Sequence, residues 1–369
     1  MENGSPFLTC KSPRALFGFQ QSPPTGFCQP RNIYDSRFTL YHPRVVNQPR
    51  TLIIINKAAA KARRSWPIVC KQLEASGTHF DSYETTQPGD AALRTRAALR
   101  AGITTIAIVG GDGTLSEAAE GFFEPGNQPE LLPSPINARA ALAILPAGTG
   151  DDFARGLMGS RAPLEQWTEL LISHCQEEDE QSTRLVDVMY GASDGYASRF
   201  ICLNGSTMGI GGETASRVAA QGGFMRRFSG EARFAAAAVG ALGAWRERPV
   251  RVSIDDSVVI EGGMNLVAVA NGIYAGGGMM MSPTARVDDG RLDVVTASGL
   301  SRAAVIRELP RIHSGGHVKN PKVRITQGQK VRVETFSRED GMLIEADGNV
   351  RGRTPVEFRI MPLALRIVA

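Results

Sequence analysis

Two glycine-rich corners, each placed directly after an apolar run, constrain this chain more than any other feature. The first is Gly110-Gly111-Asp112-Gly113-Thr114, after Ile103-Thr104-Thr105-Ile106-Ala107-Ile108-Val109. The second is Gly148-Thr149-Gly150-Asp151-Asp152-Phe153-Ala154-Arg155, after Ala140-Ala141-Leu142-Ala143-Ile144-Leu145. A short apolar run closed by glycine reads as a buried strand, and each corner then leads into a helix. Thr114 and Glu117 have capping-box spacing, which predicts a helix opening at the end of the first corner. Glycines let backbone N–H groups close on an anion, and a helix N-terminus adds partial positive charge, so both corners are candidate phosphate cradles. Either corner alone could be an ordinary turn whose acids complement the helix dipole; two in one sheet favour a nucleotide site. No G-x-x-x-x-G-K-[ST] loop and no G-x-G-x-x-G at a strand end occurs, which sets aside the commonest phosphate and dinucleotide motifs. Asp112, Asp151 and Asp152 would repel phosphate unless a cation stood between them, which implies Mg²⁺ with retained waters.

The rest of the chain supplies the setting. At 369 residues, two domains are expected, and 42% hydrophobic with 21% charged residues suits a globular protein. Residues 1–50 carry six basic and two acidic side chains, so this leader accounts for the whole formal charge of +4. The remainder is neutral, which gives no support to nucleic-acid binding. The leader is rich in Pro, Gln, Ser and Arg and reads as a disordered or targeting-like extension without an apolar signal core. No run is long enough to span a bilayer. The five cysteines lack metal-ligand spacing.

Thr51-Leu52-Ile53-Ile54-Ile55 reads as a buried parallel strand and residues 78–86 as the next, with a helix over 89–101 and a surface insertion at 124–137. Lys57 and Lys61 are candidate phosphate contacts or solvated lysines. Alternating strands and helices predict a parallel sheet covered on both faces, with ligand at the carboxyl ends of its strands. A charge run at 177–180 reads as a linker. Beyond it, strands are expected at 182–188, 198–203, 250–254, 264–270, 292–297, 322–325, 330–335 and 343–346, an all-β module interrupted by helix over 213–246.

At the glycine corners the sequence resembles the diacylglycerol kinase-like and sphingosine kinase-like lipid kinases, most closely their bacterial soluble branch. The marks are GGDGT at Gly110–Thr114 with its glutamate helix, the L-P-x-G-T-x-[ND]-D-F-A-R stretch from Leu145 to Arg155, P-x-A-x-x-D-D-G-x-L-D-V from Pro283 to Val294, and the late Asp347-Gly348 turn. The resemblance implies an α/β plus all-β architecture: an N-terminal three-layer α/β/α nucleotide domain and a C-terminal β-sandwich, with the site in the cleft between them. The implied divisions are an extension at 1–49, an ATP-binding domain at 50–186, a lipid-binding sandwich at 187–354 and a segment at 355–369 returning to the first domain.

The activity it implies is transfer of the γ-phosphoryl group of ATP to a lipid hydroxyl with Mg²⁺. ATP would lie against Asn56, Thr86, Gly110, Gly111, Gly113, Thr114, Gly148, Thr149 and Gly150. Asp112, Asp152 and Asp187 would serve the catalytic Mg²⁺. Asp289 would hold a structural Mg²⁺ with the carbonyls of Arg286 and Arg291. Where the family has a glutamate base, two residues after the late Asp, this chain has Asn349. It also departs at Lys57, in place of proline, and Asp151, in place of asparagine. The expected partner is a lipid at a membrane surface, contacted peripherally by a cytoplasmic protein; a homodimer is left open. Glycines at 205–223 and 272–278 with Met279, Met280 and Met281 are candidates for an acyl pocket, and Arg226, Arg227 and Arg233 for membrane contact. An NAD kinase, which shares the first corner, and a non-catalytic regulator on the same fold are the competing readings.

Overall fold

The computed structural model describes residues 51–124, 126, 131–176, 182–193, 198–221 and 230–369. The leader at 1–50, the charge run at 177–180, and Arg226 and Arg227 lie outside them.

The first domain runs β1 (Thr51–Ile55), α1 (Ala60–Ala75), β2 (Phe80–Glu84), α2 (Asp90–Arg100), β3 (Thr105–Gly110), α3 (Asp112–Glu120), β4 (Phe123–Glu124), β5 (Ser134–Pro135), β6 (Ala141–Pro146), α4 (Asp152–Met158) and α5 (Leu164–Gln176). β2, β1, β3 and β6 lie side by side in that order, all parallel. Every residue of β1, β3 and β6 is buried, as the continuous apolar runs require of parallel strands covered on both faces. α1 packs on α5, and α2 on α3.

The second domain contains β7 (Thr183–Ser193), β8 (Ser198–Cys202), β9 (Gly205–Gly209), α6 (Ile210–Ala219), α7 (Gly230–Ala244), β10 (Arg248–Ile254), β11 (Val258–Ala270), β12 (Tyr274–Ala275), β13 (Met279–Met280), β14 (Leu292–Ser298), α8 (Arg302–Ile312), β15 (Val323–Gly328), β16 (Lys330–Thr335), β17 (Leu343–Ala346), β18 (Asn349–Arg353) and β19 (Val356–Val368). β11 is its spine, pairing antiparallel with β10 along its first half and with β9 and β14 along its second. Val250, Val252, Val267, Val269, Val294 and Phe358 fill the core between the layers. This is a β-sandwich attached to an α/β domain.

β19 joins the two. Its first half pairs with β16 and β7; its end, Arg366–Val368, pairs in parallel with Ala141–Ala143 of β6. The register against β7 shifts between Met361 and Leu365, where Leu363 takes a left-handed φ of 48°. The sheet of the first domain therefore continues into the sandwich through one strand.

The helical stretch expected over 213–246 is two helices, α6 and α7. Arg233, on α7, bonds Gln221 through Nε at 2.9 Å and so ties the second helix to the end of the first. Residues 205–209, read only as a glycine-rich region, form the fully buried β9.

Candidate functional site

β3 and β6 are neighbours, so both glycine corners leave the same edge of the sheet. The corners touch through their backbones. A Cβ on Gly148 would stand 2.6 Å from Gly111 Cα, and one on Gly111 would stand 3.0 Å from Gly148 Cα. Only residues without a Cβ permit this approach. α3 opens at Asp112, with Gly111 as N-cap and no side-chain cap, which corrects the capping-box expectation. Thr114 Oγ1 instead accepts from Asn56 Nδ2 at 2.8 Å, and Glu117 Oε2 accepts from Gly89 N at 3.0 Å. Asn56 thus fastens the end of β1 to the first corner, and the uncapped helix start is left where an anion would bind.

The second corner is held by its own acid. Asp151 sits in the left-handed region (φ 52°, ψ 44°) as N-cap of α4. Its Oδ1 accepts from Gly148 N at 2.7 Å, and its Oδ2 pairs with Lys61 Nζ at 2.9 Å. Lys61 also donates to Gly148 O, and Arg161 donates to the carbonyls of Thr149 and Gly150. Asp151 is therefore spent in shaping the turn. Lys57 is paired with Glu84.

Asp112 and Asp152 flank Gly150: a Cβ there would lie 3.1 Å from Asp112 Oδ2 and 3.2 Å from Asp152 Oδ2. Asp112 Oδ1 accepts from Phe153 N at 3.1 Å. Asp152 Oδ2 accepts from Gly277 N of the second domain at 2.7 Å, whereas its buried Oδ1 has no partner among the described residues. Burial, and then the charge of Asp152, push Asp112 up to about 7; burial also raises Asp152. Two crowded carboxylates with an unpartnered oxygen fit a hard cation that replaces the missing counter-charge. No group of three or more acidic, His or Cys side chains converges on such a point among the described residues. The protein would thus give Mg²⁺ two carboxylates, leaving the remaining positions to phosphate and water.

The second domain closes the site with two turns. Gly276, Gly277 and Gly278, between β12 and β13, all have positive φ and bring the Gly277 amide onto Asp152. The β17–β18 turn, Asp347-Gly348-Asn349, rests on the first corner. A Cβ on Gly113 would stand 3.2 Å from Asn349 Nδ2 and 3.5 Å from Asp347 O. Asn349 Nδ2 is buried without a partner among the described residues. Asp347 is fully engaged: its carboxylate accepts from Leu203 N (2.6 Å), Asn204 N (3.0 Å) and Gly205 N (3.1 Å).

Other expected site residues lie apart from the carboxylate pair. Asp187 is fully buried and accepts from Gly290 N at 2.6 Å and Leu363 N at 2.7 Å. It pins the 288–290 turn to the irregularity in β19, at the joint between domains. Burial raises it, with Asp289 and Asp288 adding to that, whereas the acids acting on Asp112 are Asp152 and Asp151. Asp289 is exposed, and its Oδ1 accepts from Arg291 N at 3.0 Å; Arg286 pairs with Asp288. Thr86 lies just past β2, beside Thr85, whose amide bonds Ile55 O of β1. Its amide and hydroxyl donate to Asp90 Oδ2 at 2.8 and 2.7 Å, and these bonds hold the Asp90 carboxyl down at about 2. Of the methionines, Met281 is in a core cluster with Ala268 and Val295.

Gly277, nominated only as part of an acyl pocket, holds Asp152 instead, and Glu345 was not nominated at all. Glu345 Oε2 accepts from Thr207 Oγ1 at 2.6 Å, and Oε1 from Gly348 N at 2.6 Å. Burial pushes it up to about 7, with Asp347 and Asp152 adding to the rise. The available signal was its position two residues before the Asp347-Gly348 turn.

Comparison with known proteins gives two domain families. Residues 50–186 match the diacylglycerol kinase catalytic domain, and residues 208–369 match the YegS C-terminal NAD kinase beta sandwich-like domain. A protein named diacylglycerol kinase from Mycobacterium tuberculosis is 27% identical over 283 residues, covering 74% of this chain and 79% of its own length. One of the same name from Staphylococcus carnosus is 24% identical over 311 residues, covering 84% and 91%. A crystal structure of a diacylglycerol kinase from Bacillus anthracis superposes with a TM-score of 0.61 at 20% identity, covering 88% of this chain and 98% of that one. At that identity the superposition establishes the fold.

Proposed function

The chain belongs to the family that joins a diacylglycerol kinase catalytic domain to a YegS-type β-sandwich, and we propose that it is a lipid kinase transferring the γ-phosphoryl group of ATP to a lipid hydroxyl. The observation that carries this reading is the backbone contact of the two glycine corners beside the Asp112–Asp152 pair, closed from the second domain by Gly277 N. Phosphoryl transfer asks a protein mainly for positioning and charge neutralisation. The uncapped start of α3 and the Thr149 and Gly150 amides of the second corner would supply N–H groups for the phosphates, the Gly148 amide being taken by Asp151. Mg²⁺ held by Asp112 and Asp152 would neutralise phosphate charge during transfer. Asn349, with a free amide against the first corner, can orient an oxygen of the acceptor or phosphate but cannot take a proton. Asp187 holds the domain joint, and the turn at 286–291 is the candidate for a second, structural Mg²⁺ through Asp289.

Diacylglycerol is the first acceptor to try, since the relatives carry that name; a sphingoid base or ceramide follows. No helix among the described residues is long and apolar enough to cross a membrane. A lipid acceptor is met at a bilayer surface, and the proposal is of a peripheral enzyme there, on the cytoplasmic side. The test is incubation of purified protein with labelled ATP, Mg²⁺ and mixed micelles of each lipid alcohol. Labelled phospholipid is the expected product. Label in NADP from added NAD would identify an NAD kinase instead, and nucleotide binding without transfer would identify a regulator.

A further inference from the structure

An acceptor hydroxyl loses its proton as its oxygen attacks phosphorus, and the acids around this cleft differ in what they have left to give. Asp347 is consumed by three backbone amides. Asn349 has no useful basicity. Asp112 and Asp152 are the pair assigned to the cation. Glu345 remains. On β17 the side chains of Ile344 and Ala346 enter the sandwich core, so alternation places Glu345 on the opposite side of the strand. The turn that Glu345 holds through Gly348 N faces the first domain: Asn349 Nδ2 and Asp347 O lie against Gly113. The β17–β18 ladder shifts register opposite Glu345, where β18 carries Arg351 as the extra residue. Thr207 Oγ1 and Gly348 N each occupy one carboxylate oxygen. They fix the side chain while leaving each oxygen a further lone pair.

We propose that Glu345 is the base that takes the acceptor hydroxyl's proton in the transfer; this rests on the lipid-kinase reading above. The hydroxyl oxygen forms a bond to the γ-phosphorus. The bond from that phosphorus to the β–γ bridging oxygen breaks, its electron pair leaving with ADP. The hydroxyl proton passes to the Glu345 carboxylate. Burial, Asp347 and Asp152 lift Glu345 to about 7, which suits a base working near neutrality. Charged groups on the adjoining elements are engaged elsewhere: Glu213 with Arg217 on α6, Arg351 of β18 with Glu120, and Arg353 with Gly341 O.

The test compares wild type, Glu345→Gln and Glu345→Asp as full-length proteins, with ATP, Mg²⁺ and diacylglycerol, ceramide or sphingoid-base micelles. The expected result for Glu345→Gln is a kcat lower by about 10²–10⁴-fold, with KM for ATP and melting temperature retained. The wild-type fall in kcat toward acid pH disappears in Glu345→Gln, and Glu345→Asp recovers part of the rate. An unchanged kcat in Glu345→Gln overturns the proposal. So does a loss shared equally by both variants with lowered melting temperature, which marks a packing role. A wild type that makes no phospholipid from any of these alcohols refutes the kinase reading, and this inference with it; an active wild type indifferent to Glu345→Gln refutes this inference alone.

Discussion

Replacing Gly148 with alanine probes the contact on which the proposed phosphate site depends. The added Cβ would stand 2.6 Å from Gly111 Cα and 2.8 Å from Asp151 Oδ1, where ordinary contact begins at 3.4 Å. The first neighbour is backbone and the second is already tied to Gly148 N and Lys61, so neither yields cheaply. The corners must part by about 0.8 Å, and overpacking of this kind costs about 1–3 kcal/mol. Displacement on the order of 1 Å at a reacting centre costs about 10²-fold in rate, or roughly 2.7 kcal/mol of barrier. Gly148→Ala should therefore lower the melting temperature by a few degrees and kcat/KM for ATP by about a hundredfold. Gly156→Ala is the control. It lies in α4 with open space around its Cβ position and should gain up to about 1 kcal/mol from helix propensity with unchanged kinetics. Thermal melts and steady-state kinetics on both variants check this. Wild-type melting and ATP kinetics in Gly148→Ala would refute the contact as the basis of the cradle.

Three further outcomes are expected. Asp112 without metal is raised to about 7, so its contribution to stability is full below about pH 4 and is lost as pH rises through about 7. Asp112→Asn should therefore melt above wild type at pH 8 in EDTA but not at pH 4, while turnover falls by orders of magnitude; melts with and without EDTA check the first part and kinase assays the second. Asp90 is lowered to about 2 by the amide and hydroxyl of Thr86, so its contribution is present above about pH 4 and is lost as pH falls through about 2. Asp90→Ala removes a carboxylate that accepts from Thr86 and Gln87 and should cost about 1.5–3 kcal/mol at pH 7, and the gap from wild type in denaturant titrations should narrow toward pH 2. Asp289→Ala should lose the part of the Mg²⁺-dependent rise in melting temperature that a cation bound only to the folded chain produces; an identical Mg²⁺ response in both proteins would remove that site.

What the sequence made legible follows from where the physics is local. β1, β3 and β6 are apolar at nearly every position because both faces are covered, and that pattern can be read without a fold. The glycine endings of β3 and β6 marked the site for the same reason. β9 was hidden because its glycines serve close backbone approach: a Cβ on Gly205 would stand 3.2 Å from Val269 O of β11. The division of labour among the acids was also illegible. Asp151 is engaged by Lys61, Asp187 by Leu363, and Glu345 by Thr207, all partners far away in the chain. Spacing could nominate these carboxylates, but only tertiary contacts separate those that shape turns from those left free. The Thr114–Glu117 cap failed likewise, because Asn56 and Gly89 took both side chains.

The central claim is that both glycine corners and the Asp112–Asp152 pair form one nucleotide site facing the second domain. A crystal structure of the full chain with a non-hydrolysable ATP analogue and Mg²⁺ tests it most directly. The account predicts phosphates between the start of α3 and the Gly148–Gly150 turn, a cation on Asp112 and Asp152, and the γ-phosphate directed toward Asn349 and Glu345. A nucleotide bound elsewhere, or bound here with its γ-phosphate turned away from the β17–β18 turn, would contradict it.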